Sequence, residues 1–296
     1  MDQKINLALV GFGKFGKKYY RNIQDNKNFS LKTIFRKNVN RKNFRPFNSK
    51  NLNFYKYDAG IVCTPVQSHY KVAKLLIKNK IPIILEKPAA ETLNQIKKLT
   101  QLSNKKKTSV IVNHSDLYNK NFEFLYKKRK DIGKIQFIEA NFGKYSKSYK
   151  DKSFLPYKDW LPHPLALIFQ FIKEIHSIDI KINKIYKKKE AFFQILEITF
   201  KGSNKINGKI FFSNTRKKRR NLTVYGKNGL LSYDGYNQIN NFMISKKKKT
   251  HVRIKNIAPM QNILQKLYNV SKKNKFHSDL NLSLKIQKFL TKIKLN

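Results

Sequence analysis

Apolar and polar positions along the chain follow two different rhythms. Up to about residue 118, short apolar runs of strand length alternate with stretches whose apolar residues recur at helical spacing. Lys4 to Val10, Leu31 to Phe35, Ala59 to Cys63, Ile81 to Leu85 and Ser109 to Val112 predict strands. Helices are predicted from the glycines after Val10 through Ile23, around Val72, Leu75, Leu76 and Ile77 with lysines opposite, and from Leu93 to Leu102. Strands alternating with helices at this spacing imply an α/β domain over residues 1–118, built on a doubly wound parallel sheet.

Beyond that point the pattern changes. A short helix, about Asn121 to Lys130, leads to Gly133 and the alternating run Lys134 to Phe142. Further strands are predicted over Phe192 to Phe200, Lys209 to Phe212, Asn221 to Tyr225, Leu230 to Tyr233 and Val252 to Lys255, with Gly208, Gly226, Gly229 and Gly235 as punctuation. Successive strands with short turns predict a mostly antiparallel, open sheet. Helices are expected over Pro164 to about His176 and over Leu280 to Ile293, so residues 119–296 are expected to form a second α/β domain.

Size agrees with two domains, since 296 residues can bury one large core or two moderate ones. Charge changes the picture more: 64 Lys and Arg against 17 Asp and Glu leave +47, a field that suggests nucleic acid or an anionic membrane. The basic residues run through the whole chain, however, and travel with Asn, Ile, Phe and Tyr, the residues of A/T-rich codons. A dispersed field is therefore expected, with no specific nucleic-acid partner and with Arg216 to Arg220 and Lys246 to Lys249 as solvated loops between strands. No stretch approaches the roughly 18 apolar residues of a membrane span, and Gly11 and Gly13 interrupt the first apolar run too early for a signal peptide. A single cysteine, Cys63, excludes an internal disulfide and every cysteine-based zinc cluster. A cytoplasmic protein without a metal or membrane partner is expected, with Cys63 as a small packed residue. Because acids are scarce, an acid standing where chemistry needs one is informative.

Three stretches carry candidate chemistry. Gly11-Phe12-Gly13-Lys14-Phe15-Gly16 follows a strand and opens a helix, the context in which G-x-G-x-x-G cradles a pyrophosphate. The first glycine makes the turn, the second admits the phosphates and the third lets helix and strand close up. Arg36 stands twenty residues after Gly16, where an acid would hold the ribose of NAD; with Lys37 and Arg41 also basic, NADP is favoured over NAD. Pro82 to Ala90 reads PIILEKPAA, a buried parallel strand that ends in Glu86, Lys87 and Pro88 at the sheet edge where ligands bind. Finally, Asp159 and His163 are four apart, which on a helix places them about 40° apart on one face. A histidine suits proton transfer and a carboxylate would orient it, although an isolated D-x-x-x-H also fits a capping aspartate and a packed histidine.

Val10 to Gly16, Cys63-Thr64-Pro65 with His69, Glu86-Lys87-Pro88, the Gly133-Lys134-Ile135 turn and Asp159 to His163 occur in an order and spacing that resembles the glucose-fructose oxidoreductase and inositol dehydrogenase family. Val224 to Leu231 and the final helix resemble it too. The resemblance implies a Rossmann domain plus an α/β domain whose open sheet often mediates homo-oligomerisation, with the active site between them. It makes Lys87 the catalytic lysine, His163 the catalytic histidine and Asp159 the acid before it, with Thr64, Pro65 and His69 on the cofactor side and Glu86 near the nicotinamide ribose. Ala166 stands where a further acid is common in that family. The activity implied is NAD(P)-dependent hydride transfer at a hydroxyl-bearing carbon of a sugar, a sugar derivative or a cyclic polyol. Two other readings are a nucleotide sensor without turnover and a basic nucleic-acid-binding protein. Retention of Glu86, Lys87, Asp159 and His163 together speaks against the first, and the lack of a reading motif against the second.

Overall fold

The first apolar runs become strands because both of their faces are dry. Leu7, Ala8, Leu9 and Val10 are buried in β1 (Ile5–Val10), as are all four residues of β4 (Ala59–Val62) and all three of β5 (Ile83–Leu85) and β6 (Val110–Val112). Burial on both faces is the habit of a parallel sheet covered by helices. The computed structural model describes residues 3–36, 44–45, 56–151, 155–236, 241–245, 248–252, 258–273 and 275–293.

With β2 (Phe29–Phe35) and a two-residue edge strand β3 (Phe44–Arg45), the six strands lie in the order β3-β2-β1-β4-β5-β6, every neighbouring pair parallel. That is the expected doubly wound sheet. Lys37 and Arg41 lie outside the described residues. The connecting helices are α1 (Lys14–Gln24), α2 (Val66–Lys78) and α3 (Leu93–Lys106). The last starts at a capping box in which Thr92 accepts from the Gln95 N–H and the Gln95 side chain accepts from the Thr92 N–H.

In the second sheet the order is β14-β13-β12-β11-β7-β10-β9-β8. Its strands are β7 (Ile135–Gly143), β8 (Ile175–Lys188), β9 (Ala191–Gly202), β10 (Asn207–Ser213), β11 (Arg219–Gly226), β12 (Gly229–Asp234), β13 (Asn241–Ser245) and β14 (Lys248–Val252). Every pair is antiparallel except β7 with β10, so the mostly antiparallel character is as expected. Three helices belong with it: α4 (Lys120–Lys127), α5 (Pro156–Trp160) and α6 (Pro162–Ile168).

By contacts the chain divides into Met1–His114 with Met260–Gln287, and Ser115–Pro259 with Lys288–Asn296. Instead of the single cut expected after residue 118, the chain returns to its first unit. Two helices make that return, α7 (Pro259–Lys272) and α8 (Leu280–Thr291). Tyr268 meets Phe29 of β2 edge-on, and Leu280 joins the Rossmann core. Between these helices, the Val110 N–H donates to His277 O and the Asp279 N–H to Val110 O, so the returning chain docks on the edge of β6. Helical periodicity says that a face will be buried, but not against what.

The helix expected from Pro164 to His176 ends at Ile168, and β8, which was not expected, begins at Ile175. The alternation was present in Ile178, Ile180 and Ile182, but polar and basic residues fill the other face of this edge strand. Two other departures concern the basic clusters. Arg219 and Arg220 lie in β11 rather than in a solvated loop, and Lys248 and Lys249 lie in β14, while Lys246 and Lys247 are outside the described residues. The strand expected at Val252 to Lys255 shares only Val252 with β14, which ends there; residues 253–255 are not described. Among the described residues no helix is long and apolar enough to cross a membrane.

Candidate active site

At the end of β1 the chain turns through the glycines into α1. Gly11 has φ +101°, and a Cβ there would come 2.6 Å from the carbonyl carbon of Cys63. A Cβ on Gly16 would strike the carbonyl oxygen of Gly11. Gly13 is different: a Cβ there would meet nothing within 4 Å. No side chain caps α1, so the N–H groups of its first turn point past Gly13 without a capping oxygen. The loop therefore has the three properties a pyrophosphate cradle needs, a turn only glycine tolerates, a close helix–strand approach and open space over its middle glycine. Lys14 and Phe15 are exposed beside it, and Phe12 packs edge-on to Tyr20. The Gly11 N–H donates to Phe35 O at 2.8 Å, which sets the exposed Arg36 next to the glycine turn.

The ends of β4 and β5 are tied together by a buried histidine. His69 Nε2 lies 2.8 Å from Thr64 O and its Nδ1 2.8 Å from Pro88 O. Burial lowers its pKa, and the two carbonyls pull it part of the way back. Pro65 is the N-cap residue of α2, and Lys87, half-buried, precedes a cis bond to Pro88. Glu86 is buried: its Oε1 accepts from Tyr19 Oη at 3.0 Å and from Asn113 Nδ2 at 2.6 Å. Burial raises its pKa, partly offset by those two donors and by Lys87. Cys63 is held as a packed thiol, donating to Gly11 O at 3.2 Å, with its pKa pushed up to about 12 by burial and then by Glu86. A thiol so placed is no nucleophile at neutral pH.

Asp159 and His163 lie in the second unit. Leu161, between α5 and α6, keeps helical angles (φ −60°, ψ −28°), so the backbone spacing expected for the two residues holds. Each makes a side-chain hydrogen bond outside the pair. Asp159 accepts from Tyr149 Oη at 2.8 Å, and Trp160 Nε1 donates to the same oxygen at 2.9 Å. His163 Nδ1 instead meets Oδ2 of Asp116 at 2.8 Å. Asp116 sits in the 3-10 turn Ser115–Tyr118 just past β6 and is 3% exposed. Arg220 donates to both of its oxygens, at 3.0 and 2.8 Å, and Tyr233 Oη to Oδ1 at 3.1 Å. The guanidinium lies over the Trp160 ring at 5.4 Å, and that ring lies 5.8 Å from His163. Burial alone would raise the Asp116 carboxyl; the charge of Arg220, then the His163 ring, overturn this and hold it well below the usual aspartate range. Ala166 is fully buried in α6.

Sequence reasoning missed Asp116, Arg220 and Tyr233. The scarcity of acids was the signal that could have found Asp116, whereas Arg220 was hidden inside a basic run. Among the described residues no three His, Cys, Asp or Glu side chains are gathered as a metal site.

Residues 5–114 match a family described as an oxidoreductase family with an NAD-binding Rossmann fold. No curated protein matches the chain in sequence. Solved structures match it along nearly its whole length. UDP-N-acetylglucosamine 3-dehydrogenase from Acidithiobacillus ferrooxidans superimposes with a TM-score of 0.83 at 14% identity, over 99% of this chain and 97% of that one. An oxidoreductase from Agrobacterium radiobacter, solved with NAD+, L-tartaric acid and magnesium, gives 0.82 at 14% identity over 98% and 95%. Biliverdin reductase from Synechocystis, solved with biliverdin and NADP+, gives 0.75 at 15% identity over 96% of each chain. At such identities the likeness is one of fold.

Proposed function

We propose that the chain, whose residues 5–114 match an oxidoreductase family with an NAD-binding Rossmann fold, is an enzyme of the glucose-fructose oxidoreductase and inositol dehydrogenase type and transfers a hydride between nicotinamide and a hydroxyl-bearing or keto carbon of a sugar, sugar derivative or cyclic polyol. The observation that carries the chemistry is the pairing of His163 with a buried carboxylate, the arrangement of a proton acceptor at a hydroxyl. The glycine loop fits the cofactor, since it leaves open above Gly13 the space a pyrophosphate would fill.

When bound, the nicotinamide supplies the hydride chemistry. Backbone N–H groups from Gly13 onward would hold the coenzyme's phosphates, and Arg36 would stand at the adenosine ribose, a placement that would favour NADP over NAD. In the oxidative direction His163 takes the hydroxyl proton. Lys87 is the cation that stabilises negative charge developing on the oxygen, worth on the order of a hundredfold in rate. Asp159 supports the site through Tyr149 and Trp160. The open sheet of the second domain is proposed as the face of a homo-oligomer, and a cytoplasmic location is proposed with it.

The experiment is incubation with NADP or NAD, oxidised and reduced, and a panel of sugars, polyols and nucleotide-sugars, followed at the reduced-nicotinamide absorbance band. Coenzyme-dependent turnover of a panel member supports the reading. Tight coenzyme binding without turnover of any of them would turn it into the sensor alternative.

A further inference from the structure

We propose that Asp116, rather than the Asp159 that helical spacing singles out, is the positioning residue of His163, with Arg220 and Tyr233 holding its carboxylate in place. This assigns which ring nitrogen of His163 works, and so rests on the hydride-transfer reading for its consequence, though not for its test.

An ionised carboxylate only accepts hydrogen bonds. Both oxygens of Asp116 are already engaged: Oδ1 by Tyr233 and Arg220, Oδ2 by Arg220 and the imidazole. Nδ1 of His163 therefore carries the proton in that contact and donates it, which leaves Nε2 as the nitrogen whose lone pair takes a proton from a substrate hydroxyl. The groups facing Asp116 come from three elements, His163 from α6, Arg220 from β11 and Tyr233 from β12, and Asp234 beyond Tyr233 adds a further negative charge near that phenol. Arg220 is itself located by the Trp160 ring, and Trp160 by its bond to Tyr149. Asp159 accepts from the tyrosine that fixes this wall, whereas the Nδ1 proton is met by Asp116. His163, Arg220 and Tyr233 stand 47 to 117 positions from Asp116 in the chain, and all three close on its carboxylate.

A buried Asp–Arg pair could equally serve only to clamp α6 to the sheet. The two roles differ in what they do to the imidazole, and the test reads that directly. Full-length protein labelled with 15N-histidine is titrated by NMR without coenzyme or substrate, and His163 is assigned by loss of its signal in His163→Ala. The expected neutral form of His163 carries its proton on Nδ1. Asp116→Asn is expected to lower the titration midpoint of His163 by about one to two pH units, because an anion within hydrogen-bond distance is gone and the Arg220 cation stays. Asp159→Asn is expected to leave it in place.

Should Asp116→Asn fail to fold with Arg220 left uncompensated, Asp116→Asn/Arg220→Gln removes both charges. There the midpoint is expected to fall by less, since the nearby cation has gone as well. Asp116→Glu, which keeps the charge, is expected to return the midpoint part of the way. A neutral His163 protonated on Nε2, or a midpoint that moves in Asp159→Asn and not in the Asp116 variants, would overturn the proposal. Absence of turnover on the substrate panel would sink the enzymatic reading while leaving these signals unchanged, so the two failures are separable. Where a substrate is found, the acid limb of kcat/KM is expected to move with the NMR midpoint in Asp116→Asn, while coenzyme affinity stays as in wild type.

Discussion

Two carboxylates, one in each compact unit, are buried almost equally and are driven in opposite directions. Glu86 is 6% exposed and Asp116 is 3% exposed. Glu86 is met by an amide and a phenol, neutral donors that with a smaller contribution from Lys87 soften but do not cancel the cost of burial, and its pKa rises. Asp116 is met by a guanidinium and an imidazole, and its pKa falls. Depth therefore does not decide the charge state of a buried acid; the charge of its partners does. Glu86 stands at the end of a strand in a recognisable triplet, whereas Asp116 becomes a site only when three distant residues arrive.

The largest effect should come from breaking the charged half of this contrast. Arg220→Met leaves Asp116 buried beside a phenol and a histidine, and should cost about 3 kcal/mol in denaturant unfolding at neutral pH, the lower end for a broken buried pair because Arg220 is partly exposed. The sign with pH follows from the direction of the shift. A depressed folded-state pKa contributes stability that is fully present above the ordinary aspartate range and is lost as pH falls from that range through the folded-state pKa. The gap between wild type and Arg220→Met should accordingly narrow in acid. Glu86→Gln should behave in reverse: with a raised folded-state pKa, Glu86 loses stability as pH rises past the ordinary glutamate range, so the variant should gain on wild type with rising pH. Parallel pH profiles for the two variants would erase the distinction.

Chemistry offers the next largest effect. Lys87→Ala and His163→Ala should each lose about a hundredfold or more in kcat while holding coenzyme affinity within a few-fold, because both groups are assigned to charge that appears only during transfer. Near-wild-type turnover in either variant would remove that residue from the mechanism.

How much of this was legible beforehand depends on how local the determinant is. The glycine loop, the parallel sheet and the Glu86-Lys87-Pro88 strand end were readable because each is a contiguous stretch whose physics acts within a few residues. Helix α7 and strand β13 were not read as elements, and the docking of α7 on the first unit depends on a partner, Phe29, more than two hundred positions away. The bond between His163 and Asp116 was out of reach for the same reason. Helical spacing correctly gave the backbone relation of Asp159 to His163, but a ring turns toward the strongest partner it can reach, and here that partner lies 47 residues back. Arg220 was illegible for a compositional reason, since in a chain so rich in lysine and arginine a functional cation looks like its neighbours.

Smaller effects are expected within the glycine loop, where two neighbouring glycines should fail differently. Gly16→Ala puts a Cβ against the Gly11 carbonyl, a backbone atom that cannot rotate away, and should cost about 1–3 kcal/mol with a lowered Tm. Gly13→Val enters open space, so Tm should stay at the wild-type value while coenzyme affinity falls. Thermal unfolding and coenzyme titration on the same samples separate the two outcomes. Unchanged affinity in a folded Gly13→Val would remove the phosphates from this loop.

The smallest expected effect concerns the coenzyme's 2′-phosphate. Arg36 follows Phe35, whose carbonyl takes the Gly11 N–H at 2.8 Å, so its backbone is fixed beside the glycine turn while its side chain is exposed. A guanidinium so placed can grip a phosphate by paired charge-assisted hydrogen bonds, and a carboxylate there would grip the ribose of NAD instead. Composition tempers the case, because 64 basic residues in 296 put one at about every fifth position by chance. Exposure tempers the magnitude, since a solvated guanidinium gives up part of its interaction to water and salt. Arg36→Asp should therefore move the ratio of kcat/KM for NADP over NAD toward NAD by about tenfold, the equivalent of one charge-assisted hydrogen bond at the low end of its range. High salt should shrink the wild-type preference in the same direction, whereas a preference written into the backbone of the loop would not respond. A wild-type ratio that favours NAD, or one that the substitution leaves where it was, would show that Arg36 does not read the phosphate.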